Sequence, residues 1–223
     1  MGQTPLSSAA ENGHEEVVKI LVGREDINSD KRNVRGQTPL FYAARNGHTK
    51  AVEMLLRRGE VDPDKPGDIG QTPLLCAAKN GHEEVVKMLV GREDVNPNKL
   101  DSDRCTPLLY AARHGWEEAV GIPLRREEVN ANKPDKGCRT PLSYAAHGGH
   151  EALVKTLLRR QEVNPDKPDH DGRTPLSYAA ESGVDMREWW KYYSRKMRSD
   201  LTSLMGTAQP RPRLLLRMGM RVW

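Results

Sequence analysis

The tripeptide Thr-Pro-Leu begins at Thr4, Thr38, Thr72, Thr106, Thr140 and Thr174, always 34 residues apart. Five residues after each threonine stands Ala-Ala, from Ala9-Ala10 to Ala179-Ala180, and nine after it stands glycine, from Gly13 to Gly183. A fixed period of this size is the signature of a stacked-repeat protein, and it excludes most globular architectures for the part of the chain it covers. A unit this short cannot bury its own apolar face. Neighbouring units must supply the core one interface at a time, so stability becomes a sum over neighbours. That reconciles folding with a composition poor in core material. Of 223 residues, 36% are hydrophobic, 5% aromatic and 30% charged, with Phe41 the single phenylalanine. Such a balance would otherwise suggest disorder, but the apolar residues are periodic.

Each repeat reads as two short helices and a turn. The threonine is an N-cap, its hydroxyl placed to accept from the first free amides, and the proline after it suits the first helical position. Leu6, Ala9 and Ala10 give the first helix an apolar face on which paired alanines permit close approach, and Gly13 ends it in a left-handed cap. The second helix follows at once. In His14–Val22 the apolar set Val17, Val18, Leu21 and Val22 has helical spacing. Its acids occupy the first turn, and Arg57-Arg58 or Arg159-Arg160 the last, as the helix dipole favours. The remainder, Glu-Asp-Val-Asn-Pro-Asp-Lys-Pro-Asp with a glycine, is turn-rich and predicts a projecting hairpin or loop.

The segments Gly70–Leu74 (Gly-Gln-Thr-Pro-Leu), Ala77-Ala78, Asn80-Gly81-His82 and Val85–Val90 resemble the ankyrin repeat, six times over residues 1–183. The sequence looks especially like the long, near-uniform ankyrin arrays of filamentous fungi. The resemblance implies a mainly α solenoid of stacked helix-turn-helix units with projecting fingers, and places partner binding on the surface formed by fingers and first helices. The usual ankyrin unit is one residue shorter. Here the link after the second helix looks trimmed and the finger lengthened.

The fourth repeat departs from the rest. Where the third has Val85, Lys87 and Leu89, the fourth has Ala119, Gly121 and Pro123. An interior proline costs about 3 kcal/mol and a glycine about 1 kcal/mol relative to alanine, so the second helix of repeat four is expected to break near 119–123. Arg104 and Cys138 replace the finger glycines Gly36, Gly70 and Gly172. If that position needs a positive φ, both are strained, unless Gly137 takes over by a one-residue slip. The array is expected to span 1–183, its first copy lacking a finger and its sixth a normal second helix, which makes the chain look like a piece of a longer array. Trp189, Tyr193, Met197, Leu201 and Leu204 fall on one helical face, so 184–205 is expected to form a capping helix, with 206–223 a basic flexible tail.

Other classes find little support. No stretch approaches the roughly 18 apolar residues of a membrane span. The start has no signal-peptide order, and Leu6 stands where a myristoylation motif wants Ser or Thr. Cys76, Cys105 and Cys138 lack metal-ligand spacing and read as reduced thiols in a cytoplasmic, alternatively nuclear, protein. There is no phosphate-cradling loop, nucleophile elbow or paired-cysteine zinc motif, so no enzyme, metal, cofactor or small-molecule substrate is expected. Asp62–Asp68 hints at a calcium loop, but Pro66 stands at a ligand position and Pro73 where the closing glutamate belongs. His14, His48, His82 and His150 recur at the period. Metal ligands must converge on one point, so these imidazoles read instead as bonding backbone between helices.

Four surface rows carry the functional reading. Lys31, Lys65, Lys99, Lys133 and Lys167 either grip an acidic partner or pair with Asp30, Asp64 and Asp166. Glu11, Arg45, Lys79, Arg113, His147 and Glu181 give a basic middle between acidic ends, fit either to select an acidic segment or simply for solubility. Ser7, Phe41, Leu75, Leu109, Ser143 and Ser177 place three apolar side chains in succession, as an interface core or as packing beneath the finger. Trp116 replaces the inter-helix histidine, as a partner anchor or as a filler beside Ala119 and Gly121. Tyr42, Tyr110, Tyr144 and Tyr178 share one position with Cys76 and read as core with hydroxyls near the edge. The leading expectation is a monomeric, non-catalytic protein-binding module using Arg45, Lys79, Arg113, Phe41, Leu75, Leu109 and Trp116. Two alternatives stay open. Residues 1–183 hold 26 Lys and Arg against 28 Asp and Glu, whereas 184–223 hold 9 against 3, so the basic tail could contact nucleic acid or acidic membrane. The chain could also be a fragment of a larger signalling or enzymatic protein.

Overall fold

A computed structural model describes residues 2–183 and, beyond them, 185, 187, 189, 191 and 194. The chain divides into two units, Met1–Val184 and Asp185–Trp223. The first unit is a stack of helical hairpins. Its first helices are α1 (Pro5–Glu11), α3 (Pro39–Asn46), α5 (Pro73–Asn80), α7 (Pro107–His114), α9 (Pro141–His147) and α11 (Pro175–Glu181). Its second helices are α2 (Glu15–Val22), α4 (Thr49–Leu56), α6 (Glu83–Val90), α8 (Glu117–Gly121) and α10 (Glu151–Leu158). No strand occurs among the described residues. Each first helix packs on the next first helix and on its own second helix, and the second helices form a looser row behind.

The alanine doublets explain the tight row. Ala43, Ala44, Ala77, Ala78, Ala111, Ala112, Ala145 and Ala146 are all fully buried, as are Leu40, Leu74 and Leu142. Every first helix opens on its threonine: Thr38 Oγ1 accepts from the Phe41 amide at 3.1 Å and Thr72 Oγ1 from the Leu75 amide at 3.2 Å. Gly47, Gly81 and Gly115 close α3, α5 and α7 in the left-handed region. They answer a second demand as well. A Cβ at Gly47 would stand 2.5 Å from the His82 ring, and one at Gly81 would stand 2.7 Å from the Trp116 ring. The glycine therefore serves as both cap and seat for the ring of the following repeat.

Side chains from one repeat finish the backbone of the one before. His48 Nε2 donates to the Glu11 carbonyl at 3.0 Å and His82 Nε2 to the Arg45 carbonyl at 2.9 Å, satisfying carbonyls left open at the C-terminal end of a first helix. Arg58 Nη1 likewise reaches the Val22 carbonyl at 3.0 Å, and Arg126 Nη1 the Val90 carbonyl at 3.0 Å. Arg58 thus caps the preceding second helix as well as standing beyond its own.

The projecting fingers are tight turns without strands. The Gly36 amide donates to the Asn33 carbonyl at 3.0 Å, and the Asn33 amide returns to the Gln37 carbonyl at 3.0 Å. One bond ties each finger to the next, as from the Asp68 amide to the Arg35 carbonyl at 2.9 Å and from the Ser102 amide to the Ile69 carbonyl at 2.9 Å. The fourth member of the turn has positive φ in every copy, Arg104 and Cys138 included, each at 62°. Gly137 does not replace Cys138, because the pairing of Asp135 with Arg139 holds the register.

Repeat four is broken as its sequence predicts. Its second helix is five residues long, and Pro123–Arg125 continue as a 3-10 turn. Pro123 has no amide for the Ala119 carbonyl, and the chain tightens instead, with the Arg126 amide on the Pro123 carbonyl at 3.0 Å. Ala119, Val120, Pro123 and Leu124 are nevertheless buried, at the positions that Val85, Val86, Leu89 and Val90 fill one repeat earlier. The seam survives the break.

In the second unit residues 187, 189, 191 and 194 are helical. Arg187 Nε donates to Asp185 Oδ2 at 2.7 Å, and Trp189 is buried. Most of the expected 184–205 helix and all of the 206–223 tail lie outside the described residues.

Candidate functional site

The face made by first helices and fingers is organised around a tyrosine row. Tyr110 donates to Asp101 Oδ2 at 2.8 Å, Tyr144 to Asp135 Oδ2 at 2.7 Å, and Tyr178 to Asp169 Oδ2 at 2.6 Å. The other carboxylate oxygen holds the finger turn: Asp101 Oδ1 accepts from the amides of Asp103 and Cys105, both at 2.9 Å. In repeat two Asn33 does the same work, with Tyr42 bonded to it and to Gln37. Repeat three has Gly67 and Cys76 at these two positions. The finger carboxylate and the helix hydroxyl are lost together, which marks them as one device.

Cations lie on these rings. Lys79 Nζ stands 5.0 Å from the Tyr110 ring centre and the Arg113 guanidinium 5.5 Å from that of Tyr144. The His147 ring meets Tyr178 edge-on at 5.2 Å. The side chain ending one first helix thus covers the tyrosine of the next, an arrangement that favours a cation over the π face. Among the described residues no carboxylate pairs with Arg45, Lys79 or Arg113, whereas at the two ends Glu11 accepts from Gln3 and Glu181 pairs with Arg173. Burial and the charges of Arg113 and Lys79 push the His114 imidazole below its ordinary range.

Burial sets the remaining protonation states. It lifts the Tyr144 hydroxyl to about 12, with help from Asp135, and it raises Tyr110 and Tyr178 as well, with help from Asp101 and Asp169. The Cys76 thiol is pushed up to about 12 by burial, against the pull of Arg45 and Lys79, and Cys105 to about 11 by burial, Asp101 and Asp135. Burial disfavours the Asp169 carboxylate, but Tyr178, the Arg173 and Asp171 amides and Arg139 together hold it below its usual range. Among the described residues no group of histidine, cysteine or carboxylate side chains is placed to hold a metal ion, and no helix is long and apolar enough to cross a membrane.

The family description for ankyrin repeats in three copies matches this chain three times, over residues 1–66, 59–133 and 122–189. The chain belongs to the ankyrin repeat family. A solved structure described as the crystal structure of EF0377, an ankyrin repeat protein, superposes with a TM-score of 0.74 at 24% identity, covering 85% of this chain and 96% of that one. That likeness concerns the fold. A search among curated proteins found no match. Ankyrin repeats are generally protein-protein interaction modules and typically non-catalytic.

Within this ankyrin array the expected site residues separate. Arg45 and Arg113 are exposed and Lys79 half-buried, in one row along α3, α5 and α7. Phe41, Leu75 and Leu109 are 2%, 0% and 0% exposed. They are not available to a partner, and the reading of these three as an interface core is corrected. The first helix is enclosed by its neighbours and by the finger, so they support the face from behind, Leu75 and Leu109 in one cluster with Cys105 and Tyr110. Trp116 is 38% exposed, with its Nε1 donating to the Lys79 carbonyl at 3.4 Å, its ring on Gly81 and stacked near His114. It takes over the histidine's bond and still offers an aromatic surface. The lysine row is largely engaged. Lys65 pairs with Asp30 of the preceding repeat, and Lys99 stands 3.4 Å from Asp64 while donating to its carbonyl at 2.7 Å.

Three parts of the site escape sequence reasoning. The Asp101–Tyr110 type of pair joins residues nine apart across a turn, and only the joint absence at Gly67 and Cys76 signals it. The cation-on-tyrosine contacts join residues 31 apart, in different copies. The lysine row pairs with the expected aspartates Asp30 and Asp64, but in each case with the one in the preceding copy, a choice the sequence leaves open.

Proposed function

We propose that the array is a non-catalytic protein-binding module that takes an acidic segment on the face of fingers and first helices across repeats two to five. One observation carries this reading: Arg45, Lys79 and Arg113 line up on successive helices without a carboxylate partner among the described residues, two of them seated on tyrosine rings. Seating limits their side-chain freedom, so less is lost when a partner carboxylate binds. A row of one sign also steers an oppositely charged segment during encounter. Trp116 stands at the margin of this row as an aromatic anchor. The free thiols Cys76, Cys105 and Cys138 fit a reducing compartment, cytoplasmic or nuclear.

The test is reversal of charge. Arg45→Glu combined with Lys79→Glu is expected to abolish recovery of bound protein from source-cell lysate, a loss of roughly a hundredfold in affinity if two charge-assisted bonds are removed. Both side chains reach solvent, so thermal melting should stay nearly unchanged. Capture that survives the double reversal would show that another face binds.

A further inference from the structure

We infer that the segment bound on this face is an acidic polyproline-II strand with a carboxylate at every third residue; the inference rests on the proposed use of the Arg45, Lys79 and Arg113 row. The first helices meet through fully buried alanine doublets, and helices packed in this way lie about 8–10 Å apart. Arg45, Lys79 and Arg113 occupy the same position on three successive first helices, exactly one period of 34 residues apart in sequence. Each is therefore displaced from the next by about one helix spacing.

A partner must present its charges with that repeat on one side. A polyproline-II helix has three residues per turn and rises about 3.1 Å per residue, so every third side chain returns to the same side after about 9.3 Å. A β-strand returns after two residues, at roughly 6.7 Å, or after four, at roughly 13 Å, and fits neither way. An α-helix returns after seven residues at about 10.5 Å. To reach three cations it needs about fifteen residues, a length at which an isolated helix is marginal, and it must be acidic along that whole side. The polyproline strand needs only seven residues and is already extended before binding.

The experiment titrates the full chain with three synthetic peptides of equal charge by calorimetry. One has four Glu-Pro-Pro triplets. The second has the same composition with its four glutamates consecutive. The third is an alanine-based helix with glutamate at every seventh residue. The triplet peptide is expected to bind at least about tenfold tighter than either of the others. Arg45→Gln and Arg113→Gln should each weaken it about tenfold with unchanged far-ultraviolet circular dichroism. Using two variants on separate helices guards against local damage in one of them. If triplet and consecutive peptides bind equally and both are lost in the Arg45→Glu, Lys79→Glu protein, the spacing inference falls while the acidic-segment reading stands. If the helical peptide binds tightest, the polyproline assignment is overturned. If no peptide binds, or charge reversal leaves binding intact, both readings fall. Tighter binding of single-stranded DNA than of the triplet peptide would also overturn the inference, since phosphates would then be the preferred anions.

Discussion

Arg104 and Cys138 hold φ at 62° where the other fingers use glycine, a conformation that a side chain with a Cβ adopts at a cost of roughly 1–2 kcal/mol. The turn is imposed by its surroundings: the Asp101 and Asp135 carboxylates bind its amides, and the neighbouring finger binds its backbone. Replacing either residue with glycine removes the strain but raises the entropy of the unfolded chain. Arg104→Gly and Cys138→Gly are each expected to stabilise the protein by about 1 kcal/mol net, read as a higher urea midpoint with an unchanged slope. A second consequence belongs to the tyrosines. Tyr144 is raised to about 12 and Tyr110 and Tyr178 are raised in the same direction, whereas unfolded tyrosine titrates near 10. The folded form then holds more protons above pH 10, so stability is complete below that value and declines as pH rises from 10 through 12. Tyr144→Phe should reduce that decline, and equal pH profiles for the two proteins would refute the assignment. At this scale the strain was legible, because Arg104 and Cys138 interrupt a glycine column. The roles of Phe41, Leu75 and Leu109 were not. An apolar residue in a seven- or eight-residue helix enclosed on nearly every side has the same spacing whether it packs inward or meets a partner.

Between elements, the comparison of α6 with α8 is the most direct. The two helices occupy equivalent places, yet α6 runs for eight residues and α8 for five. Ala119 and Gly121 stand in α8 where α6 has Val85 and Lys87, and Pro123, in the place of Leu89, removes one bond of the ladder. Local opening draws on such regions first. Amide exchange at 116–126 is therefore expected to be faster than at 82–92, and equal protection would count against a weakened fourth hairpin. Helix positions were legible because Thr-Pro, the alanine pair and the closing glycine each constrain backbone directly. Contacts between elements were less so. Lys65 has an aspartate available both in its own repeat, Asp64, and in the one before, Asp30, and periodicity makes the two indistinguishable in sequence. The structure chooses Asp30, whose carbonyl as well as carboxylate accepts from the Lys65 ammonium.

Over the array as a whole, stability must pass from neighbour to neighbour, since each described hairpin packs chiefly on the adjacent ones. Repeat four is joined to repeats three and five by first helices packed nearly as closely as those elsewhere in the stack, but its second helix is shortened. A one-dimensional stack with one weak link is where unfolding loses cooperativity, because the two flanks can then open separately. Gly121 and Pro123 can both be returned to what repeat three carries, as Gly121→Lys with Pro123→Leu. A Cβ at Gly121 would meet nothing within 4 Å, so the first change introduces no clash. The second restores the missing amide and a side chain of the kind that Leu89 buries. The double variant should gain about 2–4 kcal/mol, the sum of the proline and glycine costs less some repacking loss. The sharper expectation concerns cooperativity. With urea, loss of helical ellipticity and exchange protection at α4 and α10 should follow separate curves in the natural chain and merge into one in the double variant. Coincident curves in both proteins would mean that the tight row of first helices alone carries the coupling, and that the break in α8 is mechanically silent.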